Sequence, residues 1–199
     1  ADQIEFATGT IDLANGADLT VTSNNGAIVI EAIRGNSAED VTLNAGTSTI
    51  SVGAVGNAAE IGDINYTAAT VTLTGDQVTS SDGGTSGADQ GLFESTGITK
   101  ISGSVTIDTD VTTGSGTNED GTVIFNGTGT IIGAGGTDNL TITSGSGVIT
   151  FGSTIGAGDG ESLDALSINA SGAAALTIPQ IGTAASNRAG TTGTVTIGS

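Results

Sequence analysis

Apolar and polar residues alternate along this chain in short bursts, and the bursts share one phrase. A Thr stands between branched aliphatics in Leu19-Thr-Val-Thr22, Val41-Thr-Leu-Asn44, Val71-Thr-Leu-Thr74, Val105-Thr-Ile-Asp108, Leu140-Thr-Ile-Thr143, Leu176-Thr-Ile178 and Val195-Thr-Ile197. A period of two places the aliphatics on one face of a β-strand and the Thr side chains on the other. Gly, Asn or Asp closes most of the bursts, as expected where the backbone turns and a left-handed conformation is needed. The pattern therefore predicts many short strands with one buried face each.

The strands recur at regular intervals. Leu19-Thr-Val with Ile28-Val-Ile30 superimposes on Val41-Thr-Leu with Ile50-Ser-Val52 at an offset of 22 (41 − 19, 50 − 28). Val105, Val123 and Leu140 open later strands at intervals of 18 and 17 (123 − 105, 140 − 123). A longer echo aligns 46–53 with 145–152 at an offset of 99 (145 − 46). A unit of this size with two or three strands is one coil of a parallel β-helix, which buries its inner face only by stacking on its neighbours. A β-sandwich is the alternative, since it also has many short strands. Few Asn-Gly or Asp-Gly hairpin turns separate the runs, and this favours the solenoid. The inward set is expected to be Val21, Ile28, Ile30, Leu43, Ile50, Val52, Val105, Ile107, Val123, Phe125, Ile142, Phe151 and Ile168.

The domain reading is a single β-solenoid over residues 1–199 with a polar, Gly-rich loop excursion at about 76–97. Smaller excursions are read at 114–121 and 156–161.

Composition narrows the function. The chain has 34 Gly, 3% aromatic residues and no Cys, Met, Trp or His, so its core must be thin and aliphatic. With 21 acidic residues against three basic ones the net charge is −18, which disfavours nucleic acid and anionic membrane surfaces as partners. No apolar run reaches the ~18 residues of a membrane span, and no basic stretch followed by an apolar one marks a signal peptide. The chain thus reads as a mature form or an internal fragment.

Catalysis is poorly supplied. Without His or Cys the common general bases and thiol nucleophiles are missing. A uronate lyase would draw on Lys or Arg, of which only Arg34, Lys100 and Arg188 exist. A glycosidase needs a carboxylate pair; Asp108 and Asp110 offer one, on the outward side of a strand, but aromatic platforms for a sugar are scarce. The expectation is no enzyme and no required cofactor. Calcium is the one ion suggested, because it takes carboxylate and carbonyl oxygens. The candidate ligands are Asp108, Asp110, Asp138, Asp159 and Glu161, the last three lying beside Gly-rich turns. The Thr-x-Thr elements raise an ice-binding reading, weakened by Asn44, Asp108 and Ile178 interrupting the pattern.

The strings Leu140-Thr-Ile-Thr-Ser-Gly-Ser-Gly-Val-Ile-Thr-Phe-Gly152, Leu163-Asp-Ala-Leu-Ser-Ile-Asn169, Thr194-Val-Thr-Ile-Gly198, Gly103-Ser-Val-Thr-Ile-Asp108 and Thr122-Val-Ile-Phe-Asn-Gly127 resemble the degenerate repeats of bacterial filamentous-haemagglutinin-like secreted adhesins. The resemblance runs from about Leu19 onward and lies in repeat style. It implies a right-handed parallel β-helix, an extracellular or cell-surface location, and an adhesive or matrix role. The expected function is a non-catalytic structural or adhesive segment of a large surface adhesin. The alternative is a self-assembling filament or surface-layer subunit, and a third reading is an ice-binding or polysaccharide-active β-helix. The first and last strand-like stretches, Ile4-Glu-Phe6, Thr10-Ile-Asp-Leu13 and 194–199, carry no capping helix. The partners expected are therefore other copies or a continuation of the chain end to end, together with a host or cell-surface ligand.

Overall fold

A computed structural model describes residues 2–36, 39–56, 61–80, 91–110, 121–127, 130–156, 161–170, 176–182 and 194–198. In chain order the strands are β1 (Ile4–Asp12), β2 (Leu19–Thr22), β3 (Ile28–Arg34), β4 (Val41–Asn44) and β5 (Thr49–Val55). The middle ones are β6 (Ile64–Leu73), β7 (Gln77–Val78), β8 (Leu92–Ile101), β9 (Ser104–Asp108) and β10 (Thr122–Asn126). The last are β11 (Ile131–Gly133), β12 (Asn139–Thr143), β13 (Ile149–Phe151), β14 (Ala165–Asn169) and β15 (Val195–Gly198). All pair in parallel, in one continuous 15-stranded sheet. A sandwich is built from antiparallel pairs, so that alternative falls. The fold is all-β, a sheet wound as a solenoid in the manner of a right-handed parallel β-helix.

The ladder register resolves the sheet into three walls. In the first, the inward column runs Ile4, Ile28, Ile50, Val71, Thr99, Ile131, Ile155, Ile181. In the second it runs Leu19, Val41, Ile64, Phe93, Val123, Ile149. In the third it runs Ile11, Ile33, Val55, Gln77, Ile107, Ile142, Ile168, Ile197. The long strands turn corners: β6 and β8 pass from the second wall to the first, with a register irregularity between Thr67 and Thr70. β1, β3 and β5 join the first wall to the third.

The repeated Thr phrase is therefore not one column. Leu19 and Val41 open it on the second wall, Val71 on the first, and Val105, Leu140 and Val195 on the third. Leu176 and Ile178 are half-buried against the core without forming a named strand. The offset of 22 holds in register, Leu19 lying on Val41 and Ile28 on Ile50. The intervals of 18 and 17 are half-coils, since Val105 and Leu140 pair directly while Val123 belongs to another wall. The echo at 99 is a shared turn at two different corners. Gly46 (φ 57°) and Gly145 (φ 52°) occupy it, closed by Ser48 N–H to Ala45 O at 3.0 Å and by Gly147 N–H to Ser144 O at 2.7 Å.

The excursion at 76–97 is narrower than its composition suggests. Gln77–Val78 is β7, and Leu92 to Gly97 lies within β8. The polar stretch 81–90 falls outside the described residues, as do 114–120 of the second excursion and 157–160 of the third.

Burial follows the alternation. Of the thirteen residues expected inside, Ile28, Ile30, Leu43, Ile50, Val52, Val105, Ile107, Val123, Phe125, Ile142 and Ile168 are buried. Val21 and Phe151 pack on the core while half-buried. Four of the five aromatic rings gather at successive levels of the core. Tyr66 meets Phe93 edge-on at 6.0 Å, Phe93 meets Phe125 at 5.9 Å, and Phe125 lies parallel to Phe151 at 5.6 Å. Such contacts add ~0.5–1.5 kcal/mol each beyond area burial. Ser95 holds the level between Tyr66 and Phe125, so a small side chain stands where Phe93 approaches both rings. One polar group enters the third column: Gln77 is fully buried, accepts the Tyr66 hydroxyl at 2.8 Å, and donates to Gly53 O and Gly75 O at 2.8 Å each.

Two outcomes follow from this core. Ile142→Ala removes a fully buried side chain between Ile107 and Ile168 and should cost ~2–5 kcal/mol in denaturant unfolding, whereas outward Thr141→Ala should cost about 0.5 kcal/mol or less. Burial pushes the Tyr66 phenol well above its ordinary range. The folded chain then keeps this proton where the unfolded chain releases it, so stability is intact below pH ~10 and falls as pH rises past it. The chain has one Tyr, and its tyrosinate absorbance should appear only as the β signal in circular dichroism is lost. Ionisation at an ordinary pH with structure intact would contradict this.

Candidate functional site

Of the candidate calcium ligands, Asp108 ends a strand and Asp138 directly precedes one. Asp108 is the last residue of β9 and half-buried; its Oδ1 accepts the Asp110 N–H at 3.0 Å. Asn, Asp and Ser side chains turn back on the backbone in this way at strand ends. Thr109, between the two, points inward and is fully buried, which places Asp108 and Asp110 on the outward side as the alternation predicts. β9 has ended before Asp110, however, so the two are not a pair on one strand.

Asp138 is nearly fully buried, just before β12. Its Oδ1 accepts the Gly103 N–H from the coil beneath, and its Oδ2 accepts the Gly135 N–H of its own loop, both at 2.8 Å. Its backbone oxygen accepts the Asp164 N–H of the coil above at 2.7 Å. The loop wraps this carboxylate closely. A Cβ on Gly133 would lie 3.0 Å from Asp138 Oδ2 and 2.5 Å from Ser162 O. Gly135 and Gly136 turn at φ 93° and 139°, open to glycine and strained for other residues. Glu161 is half-buried and meets the same corner through its backbone, its carbonyl accepting the Gly133 N–H at 2.8 Å. Asp159 lies outside the described residues.

The four described candidates thus fall in two places. Asp138 and Glu161 adjoin Gly133 near the start of the third wall. Asp108 lies on Thr143, four residues along β12 from Asn139 and so ~13 Å away. Among the described residues no three acidic side chains come together in a cluster that could hold a metal ion.

The acids have another role, one that composition did not reveal. Asp40 N–H donates to Asp18 Oδ1 at 3.0 Å, Asp63 N–H to Asp40 Oδ1 at 2.9 Å, and Leu92 N–H to Asp63 Oδ1 at 2.9 Å. Each carboxylate accepts the equivalent backbone donor of the next coil at the corner leading into the second wall. Asp76 does the same on the third wall for Thr106 N–H at 2.7 Å, and Glu31 reaches back to the coil beneath for Gly9 N–H at 2.8 Å. Glu39, fully buried, takes Gly16 N–H at 2.9 Å and Asn36 N–H at 2.7 Å. Asn25, at φ 62°, accepts both the Thr47 N–H and its hydroxyl at 3.0 Å. Charge-assisted bonds of this kind are stronger than neutral ones. The signal available in the sequence was an Asp directly before a strand in Asp18-Leu-Thr, Asp40-Val-Thr and Asp63-Ile-Asn, at intervals of 22 and 23 (40 − 18, 63 − 40).

On the outer surface, the longest run of equivalent hydroxyls is on the third wall: Thr106, Thr141, Ser167 and Thr196 stand in register. The second wall's corresponding row changes from Thr20 and Thr42 to Asn65, Glu94 and Ile124. Among the described residues no helix is long and apolar enough to cross a membrane. The chain matches no family model, no curated protein and no solved structure.

Stacked carboxylates about one strand spacing apart repel by roughly 0.9 kcal/mol per pair at the dielectric constant of water. Salt should therefore raise the melting temperature, and raise it equally in NaCl and CaCl2 at matched ionic strength, because screening acts on all the charges together. An extra rise in CaCl2 that Asp40→Asn abolishes would instead place a cation on the Asp18–Asp40–Asp63 ladder.

Proposed function

We propose that this chain is a non-catalytic structural rod, an extracellular β-solenoid segment of a large surface adhesin that spaces and presents binding surface. The observation that carries the reading is the employment of its acids. Asp18, Asp40, Asp63, Asp76 and the candidate ligand Asp138 hold one coil to the next through backbone N–H donors. The resemblance of the repeats to filamentous-haemagglutinin-like adhesins supports the surface location. A polar exterior and an acidic charge of −18 suit a rod that must stay soluble and resist sideways association.

Two measurements on the purified chain test it together. Incubation with a panel of neutral and acidic polysaccharides should release no new reducing or unsaturated ends. Extension between handles at the two ends should meet resistance and yield in steps of roughly 80 Å for the coils of 22 residues and roughly 110–130 Å for those of 30 and 35, at ~3.6 Å per residue. Turnover of any polysaccharide, or extension without resistance, would overturn the reading.

A further inference from the structure

β7 is the one third-wall strand that turns no aliphatic side chain inward. The coils on either side of it place Val55 and Ile107 in the column, and β12 and β14 bury Leu140, Ile142, Leu166 and Ile168. In β7 and the two residues after it, the buried side chains are Gln77, Thr79 and Ser80. Gln77 is held by the Tyr66 hydroxyl and by the Gly53 and Gly75 carbonyls. If the strand leaves the wall, water replaces each of those partners, whereas an aliphatic side chain would forfeit its burial. β7 therefore gives up less on opening than any other strand of this wall.

Thr79 supplies an independent observation. Thr79, Thr109 and Ser144 stand one above another, Thr79 N–H donating to Asp108 O at 3.0 Å and Thr109 N–H to Thr143 O at 2.9 Å. All three are fully buried or nearly so. The Thr109 hydroxyl donates to Gly121 O at 3.0 Å and that of Ser144 to Gly147 O at 3.4 Å. The Thr79 hydroxyl, among the described residues, is buried with no hydrogen-bond partner. A hydroxyl taken from water and left unmet favours whatever state returns it to water.

We propose that β7 is a hinge of the solenoid, a strand that leaves the third wall and returns while the coils stay stacked. The other two walls confine the opening. Across the same step β6 lies on β8 along both of them, 64–67 on 93–96 and 70–73 on 98–101. With two walls zipped and the third parted, the axis bends at this level and at no other. The purpose of such a joint rests on the structural-rod reading, in which a stiff stack must flex without losing a coil; the opening itself follows from the polar interior of β7.

Amide hydrogen exchange on the 199-residue chain tests the hinge, with Thr109 as the internal standard. The N–H groups of Thr79 and Ser80 are buried and hydrogen-bonded, the second to Ile61 O at 2.9 Å. They should nonetheless exchange about tenfold or more faster than Thr109 N–H, without denaturant, while the amides of β6 and β8 stay protected. Thr79→Val removes the unmet hydroxyl with little change of shape. It should slow exchange at 79 and 80 by about tenfold and raise the melting temperature. Thr109→Val removes a hydroxyl that is met, and should speed exchange at 109 and lower the melting temperature. Exchange at Thr79 as slow as at Thr109 would overturn the hinge, as would faster exchange in Thr79→Val or loss of β6, β7 and β8 protection as one unit. Polysaccharide cleavage by a chain with the expected exchange pattern would remove the rod reading and leave the hinge standing.

Discussion

Each coil satisfies the backbone of the next across a spacing of ~4.8 Å, and that demand decides nearly everything else in the molecule. A residue lies directly on its equivalent one coil below, so side chains cannot choose their neighbours independently. Aliphatic stands on aliphatic through eight levels from Ile11 to Ile197, with one exception. That exception, Gln77, is tolerated because all its polar capacity is met at once by Tyr66, Gly53 and Gly75. Where the backbone of one coil comes too near the next, no side chain fits. A Cβ on Gly53 would stand 1.9 Å from Glu31 O.

Much of this was legible before any coordinates. Alternation identifies an inward face whatever the wall, and the inward residues followed it closely because a one-residue slip would expose a whole column. What the pattern could not carry was the wall to which each strand belongs. The same Thr-aliphatic phrase serves all three, since each wall asks for the same half-buried strand. Coil length was legible only where it stayed constant: Ile11, Ile33, Val55 and Gln77 follow at 22 (33 − 11, 55 − 33, 77 − 55), but Gln77 to Ile107 takes 30 and Ile107 to Ile142 takes 35. β7 was hidden for a related reason. It is two residues long, and its inward residue is polar.

The backbone role of the acids was the least legible part of the structure. Counting charge says only what an acidic surface attracts, and the corners of a solenoid are short of acceptors. A strand entering a wall presents an N–H that its own turn does not satisfy, and a carboxylate acceptor there makes a charge-assisted bond stronger than a neutral one. Asp before the strand meets the need of the coil above and is met in turn by the one below, which is why Asp18, Asp40 and Asp63 fall into a ladder. Repulsion along the ladder is small beside the bonds it makes, because the carboxylates sit at a wet edge where screening is strong.

The ladder stops after Leu92, and the way it stops shows a second solution to the same problem. One coil later the equivalent donor is Thr122 N–H, which reaches the Gly91 carbonyl at 3.2 Å instead of a carboxylate. Backbone can replace side chain there only if the two coils draw together. The glycines register that approach: a Cβ on Gly121 would lie 1.9 Å from Gly91 O, and one on Gly147 would lie 1.8 Å from Gly121 O. Asp serves the corner as far as Leu92, Asp63 still reaching it across 29 residues, and the Gly91 carbonyl serves it at Thr122, after 111–120. Any other residue at Gly121 would push the coils apart and leave Thr122 N–H without its acceptor.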